Sequence, residues 1–74
     1  MISEKVEHIL TEWALDFEIL SPDVSSMIRH NISKLKNQQN IEQDFNDYIK
    51  MAVNHSPLPS IRKEAQFLIE ELSL

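Results

Sequence analysis

Residues 56–72 read SPLPSIRKEAQFLIEEL, and this stretch predicts a helix more clearly than any other part of the chain. Ser56 can cap the first backbone amides, and Pro57 suits the first helical position, where no amide hydrogen is needed. Apolar residues then recur at alternating spacings of three and four, which is typical of a helix with one buried face. They are Leu58, Ile61, Ala65, Leu68 and Leu72. We therefore expect a helix over about residues 57–73.

The N-terminal part of the chain has the heaviest apolar periodicity. A helix is expected over about residues 4–19, with Ser3 as its N-cap and Glu4 in the first turn, where an acid is favourable. Its apolar stripe consists of Val6, Leu10, Trp13, Phe17 and Leu20, with Ile9 and Ala14 beside it. This stripe predicts the main contribution to a core.

Two further helices are expected between these stretches. Ser21 and Pro22 form a cap followed by a first-position proline, so the second helix should span about residues 22–36. The third should span about residues 41–53, and Asn54 can then take the left-handed conformation that ends many helices.

The four helices are joined by short connections of about two to five residues, which makes sequential neighbours antiparallel. The sequence therefore predicts an all-α fold, with four short helices arranged as two antiparallel hairpins, either HEAT-like or as a four-helix bundle. We expect one domain over residues 1–74. A chain this short buries only ~60% of its unfolded surface, so a homodimer is the expected additional support.

The composition argues against catalysis. The chain has no cysteine and no glycine, which excludes thiol nucleophiles, thiolate zinc sites and glycine-rich phosphate loops. The serines fall at predicted helix starts or on the outer face of the second helix, where capping accounts for them. Glu4, His8 and Glu12 share an exposed helix face, whose simplest interpretation is a solvated surface. We therefore expect no catalytic residue, no cofactor and no metal site.

The hydrophobic pattern also predicts the cellular location of the protein. The longest apolar runs are too short to cross a membrane, and the N-terminal residues lack the basic and apolar regions of a signal peptide. We expect a cytoplasmic protein without a membrane partner.

The charge distribution affects how well the chain could bind nucleic acid. A net charge of −5 disfavours binding to phosphates. The second helix nevertheless carries Arg29, Lys34 and Lys36 on one face. The simplest interpretation is a solvated surface whose positive charge balances the negative charge of the first helix. The alternative is a face that docks an acidic partner or nucleic acid, as the recognition helix of a dimeric helix-turn-helix protein would.

Residues 45–72 carry a family resemblance through the pattern Ser-Pro-x-Pro-x-Ile-Arg-x-x-Ala. Ile61, Arg62 and Ala65 match the pattern of a HEAT repeat, whereas Ser56 stands where aspartate is more usual. The first hairpin matches less well, because Asn31 stands where alanine would be expected. The layout is also similar to a family of small uncharacterised archaeal helical proteins. The HEAT resemblance implies protein binding through helix faces.

Apolar residues outside the stripes suggest where a partner could bind. They are Leu15, Ile19, Phe67 and Leu74, with Glu12, Arg29 and Lys36 as rim charges. The function that the sequence favours is a small non-catalytic protein–protein interaction module, acting as an adaptor, regulator or inhibitor. Two alternatives remain open: a dimeric nucleic-acid-binding regulator that uses the basic face of the second helix, and an acidic mobile-element inhibitor of a host nucleic-acid-binding protein.

Overall fold

A computed structural model describes residues 2–74, and within this range the chain is all-helical, as predicted. The four helices are α1 (Glu4–Phe17), α2 (Pro22–Lys36), α3 (Gln43–His55) and α4 (Pro59–Leu72). Packing of α1 against α2 and of α3 against α4 confirms the two hairpins.

The chain divides into two compact units, one ending at Glu42 and the other spanning Gln43–Leu74. The first unit contains the α1–α2 hairpin, and the second contains the α3–α4 hairpin. The expectation of a single domain over residues 1–74 stays a prediction, as does the choice between HEAT-like and bundle packing.

The start and the buried face of α1 are as predicted. The Ser3 hydroxyl oxygen accepts a hydrogen bond from the Val6 amide at 3.2 Å, which satisfies one of the free donors at the helix start. The buried residues of α1 are Val6, Ile9, Leu10, Trp13 and Ala14. Trp13 is therefore a core residue of the first unit, as its place in the stripe indicated.

The end of α1 differs from the prediction, which placed it near Ile19. The helix stops at Phe17, and residues 18–20 form a turn. Proline disfavours a helical conformation in the residue before it, and Ser21, which precedes Pro22, is non-helical with φ −150° and ψ 78°. The chain has therefore left the helix before Pro22, and the placement of Leu20 in the buried stripe was wrong, since it is 85% exposed.

Ser25 is buried, so its assignment to the outer face of the second helix was also wrong. Its hydroxyl donates a hydrogen bond to the Ala14 carbonyl oxygen at 2.7 Å. Ala14 is one of the last four residues of α1, whose carbonyls have no partner within the helix. Ser25 of α2 thus satisfies an acceptor that the end of α1 leaves open.

Asn31 is fully buried and fastens the connection after α2 to that helix. Its amide nitrogen Nδ2 donates to the Met27 carbonyl at 2.8 Å, and its Oδ1 accepts from the Glu42 amide at 2.8 Å. α3 begins at Gln43, directly after this hydrogen bond, rather than near Ile41, where the prediction placed it.

The connection between α3 and α4 also lies later in the chain than predicted. α3 continues through Asn54 to His55, so Asn54 is not a C-cap. Leu58 is extended, with φ −96° and ψ 118°, because Pro59 follows it, and α4 therefore starts at Pro59 rather than Pro57. Leu58 was wrongly placed in the buried stripe, since it is 58% exposed.

Ser56, the predicted cap of the fourth helix, instead accepts hydrogen bonds that stabilise the turn before α4. Its hydroxyl oxygen accepts from the Leu58 amide at 3.3 Å, and its carbonyl oxygen accepts from Arg62 Nη1 at 2.6 Å. Arg62 therefore ties the start of α4 back to the turn. The buried core of this unit consists of Phe45, Ile49, Ala52, Ala65 and Leu68.

We predict that Ser25→Ala lowers the free energy of unfolding by about 1–3 kcal/mol, because the Ala14 carbonyl would be buried without its partner. Ser26→Ala is the matched control: it makes the same change on the same helix at an exposed position, where an effect within about 0.5 kcal/mol is expected. Urea unfolding followed by circular dichroism measures both. Equal effects of the two substitutions would contradict a role for the hydrogen bond.

We also predict a loss of stability in alkaline solution from Tyr48. Burial raises the pKa of its hydroxyl above the usual value of 10.0. Above that pH the unfolded chain releases this proton while the folded chain keeps it, so stability falls as pH rises. Because Tyr48 is the only tyrosine, ultraviolet absorbance titration reports its ionisation directly. A midpoint above 10.0 is expected, and Tyr48→Phe should remove this part of the pH dependence of unfolding.

Candidate interaction surface

The turn after α1 presents two large apolar side chains to solvent. Ile19 is 90% exposed and Leu20 is 85% exposed, and Leu15, four residues before Ile19, is 49% exposed. We call these three residues the hairpin tip. Single exposed leucines are ordinary on protein surfaces, but adjacent residues that stay almost fully exposed indicate a surface that could bind a partner.

The local chain conformation explains why the tip is exposed. The Ser21 amide donates to the Phe17 carbonyl at 2.8 Å, which closes the turn over Ile19 and Leu20. The core positions of α1 are already filled by its buried stripe, so the tip side chains have no place in it. The exposure of Ile19 and Leu20 thus results from the conformation of the turn.

The predicted patch is divided between the two units. Leu15 and Ile19 lie in the first unit, whereas Phe67 and Leu74 lie in the second and are both partly buried. A surface that joins all four residues stays a prediction. Leu20 is the member that sequence reasoning missed, and the signal for it was Pro22, which requires a turn before α2.

The three predicted rim charges all lie in the first unit. Arg29 Nη2 lies 3.7 Å from Glu18 Oε1, and Lys36 Nζ lies 3.0 Å from Glu7 Oε1. Glu12 is exposed on α1. Lys36 thus joins α2 to α1, and Arg29 joins α2 to the turn after α1, as expected if the basic face of α2 balances the acidic residues of the first predicted helix. Both pairs are solvent-exposed, so each contributes only about 0–1 kcal/mol to stability.

An open groove of about 460 Å³ runs along the same edge of the first hairpin. Its lining comprises Thr11, Arg29, Ile32, Ser33, Lys36 and Asn37. The groove is shallow and mixed in character, and it contains no pair of a nucleophile and a base that would suit catalysis. It is therefore a weaker candidate for a site than the hairpin tip.

Residues 2–74 contain neither a metal-binding cluster nor a helix that could span a membrane. Within this range no group of three or more histidine, aspartate or glutamate side chains is arranged to hold a metal ion. None of the described helices has the length and apolar character needed to cross a bilayer.

Comparisons with known proteins leave the function to be argued from this surface. No family model matches the chain, no curated protein matches it, and no solved structure matches it. The HEAT-like interpretation therefore stays a prediction that rests on the pattern in residues 45–72.

We predict that the tip contributes little to folding. Leu20→Ser should change the free energy of unfolding by no more than about 0.5 kcal/mol, because the side chain is already in water. Leu10→Ala, at a fully buried position of α1, should cost about 2–5 kcal/mol. Chemical denaturation of the two variants makes this comparison. A large loss of stability in Leu20→Ser would show that the tip is a structural element.

Proposed function

We propose that this protein is a small non-catalytic interaction module that binds another protein through the hairpin tip, as an adaptor, regulator or inhibitor. The observation that carries the proposal is the almost complete exposure of Ile19 and Leu20. A water-exposed apolar pair that the hairpin does not use for its core is a surface that a partner can bury.

Burial of Ile19 and Leu20 would make a substantial contribution to the free energy of binding. Full burial of a leucine or isoleucine side chain contributes about 1.5–3 kcal/mol, so Ile19 and Leu20 together could supply about 3–6 kcal/mol. That range corresponds to a change of about 100- to 10,000-fold in a dissociation constant. Leu15 adds to the apolar area beside the pair.

The resemblance of residues 45–72 to a HEAT repeat supports the same class of function, since it implies binding to proteins rather than chemistry. Among the alternatives, nucleic-acid binding has less support. Arg29 and Lys36, which would contact phosphates, are engaged by Glu18 and Glu7, and the net charge is −5. An acidic inhibitor of a nucleic-acid-binding protein would be one member of the proposed class.

The proposal is tested by site-directed crosslinking in the native host. A photoreactive phenylalanine derivative at position 15 keeps an apolar group beside Ile19 and Leu20 and should form a covalent adduct with the partner. The same derivative in an Ile19→Ser/Leu20→Ser background should lose that adduct. The captured protein is then purified and titrated against the unlabelled chain.

In that titration, Ile19→Ser/Leu20→Ser should weaken binding by about 100-fold or more, because two apolar contacts are removed. Met51→Ser is the matched control, since Met51 is 50% exposed on α3 of the second unit. It should change the affinity only a few-fold. Equal affinity of the wild type and the double variant, with both proteins folded by circular dichroism, would refute the tip as the binding surface.

A further inference from the structure

Acidic side chains lie on both sides of the hairpin tip in the chain. Residues 9–28 contain four acidic and no basic residues. They are Glu12, Asp16, Glu18 and Asp23, and all four are exposed. Glu18 pairs with Arg29, while no ion pair joins the other three to a residue in the described range 2–74. The sequence on both sides of the tip is therefore acidic, and Glu18 alone among these residues has a basic partner within residues 2–74.

Asp16 is placed where it lowers the stability of its own helix. It lies in the last turn of α1, which has no basic residue and which carries the negative end of the helix dipole. An acid at that end costs about 0.3–1 kcal/mol. Glu12 is four residues earlier on the same helix, and like charges at that spacing repel by about 0.2–0.5 kcal/mol.

Asp23 is different, because it has a structural reason to be acidic. It occupies the first turn of α2, where the positive end of the helix dipole favours a carboxylate. Helix stability thus accounts for Asp23 but not for Asp16. The unfavourable charge beside the tip would become favourable if a partner placed a cation there.

We infer that the partner of the hairpin tip is a protein with an apolar surface bordered by lysine and arginine side chains, and not a second copy of this chain. The inference rests on the proposed function, because it specifies the partner of the same surface. That surface would cover Ile19 and Leu20, while its cations would face Asp16. Complementary charge of this kind raises the association rate and makes binding sensitive to salt.

A second copy of this chain fits the tip poorly, because it carries the same acidic residues. In a two-fold symmetric contact centred on the tip, the same patch serves both subunits, so the carboxylates beside one tip would approach those beside the other. A homodimer, which the sequence favours, would therefore form through another surface.

Selection from a peptide library tests the inference without a known partner. The probe is a phage-displayed library of helical peptides with a fixed leucine face and flanking positions randomised among lysine, glutamate and serine. The targets are the full-length protein and its Ile19→Ser/Leu20→Ser variant. The variant keeps every acidic residue, so peptides held by charge alone bind both targets equally and are removed by comparison.

We expect the peptides that depend on the tip to carry lysine rather than glutamate beside their leucines. Asp16→Lys should weaken their binding by about 3- to 10-fold at low salt, and the difference should shrink at high salt. The same substitution should raise the thermal unfolding midpoint. It places a cation at the negative end of the helix dipole and four residues after Glu12, where opposite charges attract. That opposite change separates a loss of recognition from a loss of folding.

Three outcomes would overturn the inference in distinguishable ways. Tip-dependent peptides with neutral or acidic flanks would refute the basic border while leaving the proposed function intact. A dimer in sedimentation equilibrium that dissociates in Ile19→Ser/Leu20→Ser would identify a second copy as the occupant. The absence of any tip-dependent peptide would refute the proposed function itself.

Discussion

The first hairpin depends on the point at which α1 stops. Pro22 holds Ser21 out of the helical conformation, and α1 ends at Phe17, before the turn that leads to α2. An early end leaves the Ala14 carbonyl without a partner in its own helix, and the Ser25 hydroxyl supplies one from α2. The same early end requires a turn that carries Ile19 and Leu20 into solvent. The end of α1 thus underlies both a buried polar contact and the exposed hairpin tip.

The tip combines features that stability alone would not favour. Two aliphatic side chains remain in water, and Asp16 stands at the unfavourable end of its helix dipole. Elsewhere in the hairpin the same physical rules are followed: Ser3 caps α1, and Asp23 lies at the favourable end of α2. Departures from local stability that gather in one place are typical of functional surfaces, where recognition and stability impose opposite demands.

Local patterns predicted the number of helices, the buried stripe of α1 and the cap at Ser3, because periodicity and capping depend on neighbouring residues. The errors fell where two local signals compete or where a distant contact decides. Pro57 and Pro59 both suit a helix start, and only the restriction on Leu58 favours the later one. The burial of Ser25 and Asn31 depends on Ala14 and Glu42, each eleven residues away, which no local pattern reveals. For the candidate surface, exposure of Leu15 and Ile19 followed from the helical wheel, whereas that of Leu20 required the true end of α1.

The aromatic residues give each hairpin its own optical probe. Trp13, the only tryptophan, is buried in the first unit, and Tyr48, the only tyrosine, is partly buried in the second. Tryptophan fluorescence and tyrosine absorbance therefore report the unfolding of different hairpins in one unlabelled molecule. Coincident transitions would mean that the hairpins melt as one cooperative unit, and separated transitions would mean that each melts independently. Comparison of the two transitions thus measures the thermodynamic coupling between the two hairpins in the native chain.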